Sequence, residues 1–161
     1  MPEGMVTARA QILASVLRRI GGVDLKHFRG RLALQKQIYF LQVFGFYLGY
    51  RYSWYLYGPY SPSLTKDAFG IQDLVETINP IKFSEISLES RFEEFIKFFG
   101  PKRTDAQWLE LISSVHFLAK LYPSWSRDRL AKRVQRKNPD FTSEKVEKAI
   151  EYLESRQLLT R

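Results

Sequence analysis

The residues best suited to chemistry in this chain are cations. Arg129, Lys132, Arg133, Arg136 and Lys137, placed at 100° per residue on a helix, fall within about 140° of arc. Leu130 and Val134 lie outside that arc and face a core. Five positive charges on one face can track a phosphate backbone. These five are therefore candidate nucleic-acid-binding residues. The plainer alternative is the solvated face of an amphipathic helix. A helix-turn-helix reading is weaker, because the next helix carries Glu144, Glu147, Glu151 and Glu154. Those glutamates would repel phosphate unless they face away.

A second group is aromatic. Trp54, Tyr55, Tyr57 and Tyr60 sit within one short stretch beside Arg51. Rings of this kind can stack single-stranded bases. More often they fill a core or a protein interface, where Tyr and Trp are enriched. These four are the candidate partner-binding residues.

Other chemistries find little support. The chain has no cysteine, which removes disulfides, thiol nucleophiles and cysteine-based zinc sites. His27 and His116 are its two histidines, and neither has a second ligand at i+3 or i+4, so no metal site is expected. Glu93 and Glu94 are adjacent, which on a helix points them about 100° apart and not into an acid/base pair. No glycine-rich phosphate loop, GxSxG or zinc-protease pattern occurs. No catalytic residue and no cofactor is expected.

The elements that must carry these residues read as mostly helical. An apolar stripe through Ile12, Leu13, Val16, Leu17 and Ile20 predicts a helix over residues 7–20, with Thr7 as its cap and Gly21-Gly22 as its stop. Residues 31–48 are apolar on more than one face, which predicts a buried central helix. On it, Lys36 is expected at a seam to solvent or snorkelling along its stem. Residues 50–57 alternate and predict a strand. Gly58-Pro59 predicts a turn, and Ser61 with Pro62 a helix start running to Val75 or Thr77. Residues 81–88 predict a second strand, the pairing partner of the first. Capping boxes at Ser90/Glu93 and Thr104/Gln107 predict helices over residues 90–99 and from 104 to 121. Two last helices, over 126–137 and 142–157, flank Asn138-Pro139-Asp140.

These elements describe a mainly α fold with a small two-stranded β element (α+β) and a buried central helix. The length of 161 residues suits one domain over residues 1–161, with a helical subdomain over 102–161. A formal net charge of +8 favours polyanionic partners, although a generally basic surface gives the same number. It is concentrated in residues 1–60 and 101–161, while 61–100 are acid-rich. No window holds the ~18 consecutive apolar residues of a membrane helix, and the N-terminal stretch lacks an apolar leader core. A cytoplasmic location and no membrane partner are the expectations.

Residues 34–69 resemble a known pattern. Leu34, Gln35, Lys36, Tyr39 and Leu41 match L-Q-K-x-x-Y-x-L. Trp54, Tyr55, Gly58, Pro59, Tyr60, Ser61 and Pro62 match an aromatic strand ending W-Y-x-Y/H-G-P-Y-S-P. The combination is similar to the YwgA-like proteins of bacteria and archaea. More distantly it resembles the SocA/Panacea group, where Tyr60 is replaced by Val. Residues 138–159 loosely resemble a shared C-terminal ending. The resemblance implies a non-enzymatic regulatory protein, antitoxin- or adaptor-like, that acts by binding another protein. It carries over no catalytic residue. A DNA-binding protein using residues 129–137 is the alternative, and an enzyme with a site invisible in sequence is the third.

Overall fold

The structure is a computed structural model that describes residues 6–160. The first residues of the N-terminal stretch, 1–5, lie outside the described residues. The described chain holds eight α-helices, one 3-10 turn and one two-stranded sheet. The helices are α1 (Ala8–Ile20), α2 (Phe28–Val43), α3 (Pro62–Gly70), α4 (Gln72–Val75), α5 (Ile86–Phe99), α6 (Ala106–Leu121), α7 (Arg127–Lys137) and α8 (Ser143–Ser155). The strands are β1 (Ser53–Tyr55) and β2 (Gly58–Tyr60). This is the mainly α fold with a small β element that the sequence implies.

Helix α2 is the axis. Every residue from Leu32 to Leu41 is buried, as an all-round apolar helix requires. Its long partner is α6, buried from Leu109 to His116. Helices α7 and α8 pack on α6 and on each other, while α1 packs on α3 and α4. One buried cluster takes in residues from α1 through Leu159, so helices 102–161 share their core with the rest. Phenylalanines join α5 to α2: Phe40 meets Phe98 at 4.7 Å and Phe44 meets Phe95 at 5.8 Å. Such ring pairs add roughly 1 kcal/mol each beyond area burial.

Termini follow local rules. Thr7, Asp105, Ser126 and Thr142 each accept a backbone N–H in the first turn of α1, α6, α7 and α8. Gly21, at φ 112°, closes α1. Two expected capping boxes are corrected. Asp105, not Thr104, caps α6. Ser90 lies inside α5, which begins at Ile86, and Glu89 in its first turn accepts from the Phe83 N–H and from Arg19.

The strand expectation also changes. Residues 50–57 do not form one strand paired with residues 81–88. The chain reverses at Leu56-Tyr57 and pairs with itself: Ser53 opposite Tyr60, Trp54 opposite Pro59, Tyr55 opposite Gly58. Gly58 adopts φ 91°, a backbone state open to glycine at little cost. Residues 79–85 are irregular and are tied to α1 instead, where Ile81 N–H donates to the Ser15 carbonyl at 3.1 Å.

Candidate functional site

The hairpin is held by polar side chains of α2. Gln35 uses both ends of its amide on one residue. Its Nε2 donates to the Ser61 carbonyl at 2.9 Å, and its Oε1 accepts the Ser61 N–H at 2.8 Å. Lys36 Nζ donates to the Pro59 carbonyl at 2.6 Å. Tyr52 OH donates to the Gln35 carbonyl at 3.0 Å. About two turns on from Gln35, Gln42 accepts from the Leu48 and Tyr50 N–H groups and donates to the Tyr50 carbonyl. Buried backbone groups need partners, and here α2 supplies them to an irregular segment. The matched L-Q-K and G-P-Y-S-P residues are thus joined to each other across the core.

Lys36 is 0% exposed, which corrects the expectation of a seam or a snorkelling stem. Its surroundings form a buried polar cluster. Glu110 of α6 pairs with Lys137 of α7 at 3.1 Å, both side chains being nearly enclosed. Lys137 Nζ also donates to the Leu56 carbonyl in the hairpin turn. Ser114 Oγ is buried with no hydrogen-bond partner and abuts Gly58, where an added Cβ would lie 2.5 Å from it. Burial pulls the Lys36 amine down to about 7; Glu110 opposes that shift and Lys137 adds to it. Lys137 is lowered as well, first by burial. Nearby, Tyr39 OH and His116 Nδ1 stand 2.6 Å apart. Burial holds His116 neutral, with a pKa down at about 4.

On the hairpin's outer side lies a cleft of about 380 Å³. Tyr55, Tyr57 and Tyr60 line it together with Phe28, Phe69 and the exposed turn residue Leu56. Leu56 is 76% exposed. Tyr57 meets Phe28 edge-on at 4.9 Å, and Tyr55 meets Tyr60 at 5.2 Å. Tyr60 is anchored through its hydroxyl to Thr65 Oγ1 at 2.9 Å. Arg31 and Lys36 are the charged residues of the lining, with no carboxylate among them. Arg31 is steadied by donation to the Leu25 and Lys26 carbonyls.

Three of the four aromatic candidates therefore share one cleft. Trp54 does not. Strand alternation turns it to the other face, where it stacks on Phe117 at 5.9 Å with Arg133 above its ring. The basic candidates also separate. Arg129 and Arg136 are exposed, and Lys132 is exposed but paired with Asp128 at 3.0 Å. Arg129 lies over Trp125 at 4.4 Å. Arg133 is half-buried. Lys137 is removed from the basic face: it ends α7 where the helix meets the hairpin, and Glu110 draws it inward. The glutamates of α8 divide too. Glu147 and Glu154 pair with Arg127, and Glu144 pairs with Lys148.

Phe28 and Phe69, like Glu110 and Ser114, join the site only through packing between elements distant in sequence. The one signal available was polar residues interrupting all-round apolar helices, at Gln35-Lys36-Gln37, Glu110 and Ser113-Ser114. Among the described residues, no group of three or more His, Asp and Glu side chains is placed to hold a metal ion. No described helix is long and apolar enough to cross a membrane. Compared with models of known families, with curated proteins and with solved structures, the chain matches none.

Proposed function

We propose that this protein acts by binding, as a non-enzymatic regulatory or adaptor-like module that receives a short segment of a protein partner in the Tyr55–Tyr57–Tyr60 cleft. The observation that carries this reading is the exposure of Leu56 and its neighbouring rings on a hairpin that α2 holds rigid. An exposed apolar patch rimmed by polar groups is costly to keep without a use, and rigid aromatic anchors lose little entropy on binding. Arg31 is the cation that the cleft presents, Lys36 being enclosed beneath it, and the lining has no acid. The fitting segment therefore presents an apolar side chain for the cleft and a carboxylate for Arg31. The YwgA-like resemblance supports the same reading, since its motif residues are the frame of the hairpin.

A displayed peptide library selected on the full chain tests this. Enriched peptides are expected to combine a large apolar residue with Asp or Glu. They should bind Leu56→Ser and Arg31→Gln variants at least tenfold more weakly. Absence of enrichment, or equal binding by both variants, overturns the proposal. A nucleic-acid role for α7 is the second reading. It rests on the exposed Arg129, Lys132 and Arg136 with the half-buried Arg133, and burial of Lys137 leaves it less support.

A further inference from the structure

A second cavity, of about 550 Å³, opens where the end of α5 and the 3-10 turn (Gly100–Lys102) meet α6 and α8. Its lining carries five cations, Lys97, Lys102, Lys145, Lys148 and Arg156, and no carboxylate. Its floor is aromatic: Trp108 and Tyr152 meet edge-on at 5.5 Å. The cations converge because α8 presents positions 145, 148, 152 and 156 on one face, while Glu147 and Glu154 turn to Arg127 on α7. Two of the cations already lie over rings, Lys102 above Trp108 at 5.2 Å and Arg156 above Tyr152 at 3.8 Å. Lys145 donates to the Asp140 carbonyl, and Lys148 pairs with Glu144 at the surface. Tyr152 is fixed by its hydroxyl, which donates to the Phe98 carbonyl. The volume is that of a small-molecule site.

Cations over a fixed aromatic floor match one ligand chemistry: a planar base joined to phosphate. Bases stack on aromatic rings and on guanidinium planes, and ammonium groups hold phosphates as point charges. An acidic peptide would use the cations but not the rings. We infer that this cavity is a binding site for a phosphate-bearing nucleotide unit, supplied by a free nucleoside phosphate or by single-stranded nucleic acid. It is separate from the hairpin cleft and does not depend on it.

The test is fluorescence anisotropy of a labelled mixed-sequence 12-nucleotide single strand with the full chain, across a salt series, with ATP and tripolyphosphate as competitors. A Lys97→Gln/Lys148→Gln double variant should bind at least tenfold more weakly. Its salt slope should fall by about 0.7 per lost phosphate contact. A Lys66→Gln/Lys120→Gln variant, with equal charge loss at exposed positions elsewhere, should change binding less than threefold. Trp108→Phe should weaken the strand and ATP but not tripolyphosphate. Competition by ATP identifies the free nucleotide as the source, and binding of the strand alone identifies single-stranded nucleic acid. The inference is overturned if neither binds, if both double variants lose equally, or if Arg129→Gln/Arg136→Gln abolishes binding while the cavity variant keeps it.

Discussion

Lys36 should make this protein more stable in mild alkali than at neutrality. Its amine is enclosed beneath the hairpin and held near a pKa of about 7, against 10.5 for an ordinary lysine. Below pH 7 the folded chain must carry a desolvated charge. Between pH 7 and 10.5 the unfolded chain binds a proton that the folded chain has released, so stability rises with pH. Integrated from pH 7 to pH 9, this single group contributes ~2 kcal/mol. In a chain of this size that corresponds to a rise in Tm of roughly 4–8 °C. Lys137, also lowered by burial, acts in the same sense. His116, at about 4 against 6.5, acts in that sense too, but its window is nearly closed by pH 7. Above pH 10 the trend reverses, because burial raises the hydroxyls of Tyr39, Tyr50 and Tyr52 and the unfolded chain ionises first. The assay is calorimetric melting at pH 7, 8 and 9 at constant ionic strength, for the wild type and Lys36→Met. The methionine variant should lose most of the rise. At pH 6 it should be at least as stable as the wild type, because removing the charge penalty outweighs the lost bond to Pro59, worth about 1–3 kcal/mol. A flat wild-type profile, or an unchanged slope in Lys36→Met, would refute the reasoning.

Other perturbations follow from the same contacts. Gly58→Ala places a Cβ at φ 91° and 2.5 Å from Ser114 Oγ, so it should cost more than ~1 kcal/mol in urea unfolding; a second change, Ser114→Ala, should recover part of that loss. Lys137→Ala leaves Glu110 charged and enclosed, and should cost about 3–5 kcal/mol, whereas Arg136→Ala on the same helix should shift stability by less than ~0.5 kcal/mol. Equal effects of the two would return Lys137 to the surface face. Arg19 and the Phe83 N–H hold Glu89 down to about 2. Its contribution is therefore fully present above pH 4.5 and lost as pH falls toward 2, and acid titration of Glu89→Gln should lack that part of the decline.

Periodicity made most helices legible. The stripes of α1, α7 and α8 are spaced as buried faces must be, and the all-round apolar character of α2 gave away its burial, whereas α6 shows one apolar face in sequence and is buried on its other faces as well. The hairpin was less legible for a local reason. Eight alternating residues, 50–57, have the pattern of one strand, yet the chain reverses within them at Leu56-Tyr57 and Gly58, at φ 91°, starts the returning strand. Lys36 and Lys137 were misplaced because sequence spacing cannot show that Glu110 and the Pro59 carbonyl converge on them from other elements. The exposed tyrosines were visible as a cluster, but Phe28 and Phe69 join the cleft only through packing of α2 against α3. The basic cavity between α5, α6 and α8 was hidden for the same reason, since its cations come from three separate elements.

The most direct measurement of the binding claim is amide hydrogen exchange of the full chain with and without an excess of a library-selected peptide. The account predicts slowed exchange at residues 53–60 and at the start of α2, with α7 unchanged and the effect absent in Leu56→Ser. Protection confined to α7, or protection of the hairpin that survives Leu56→Ser, would contradict it.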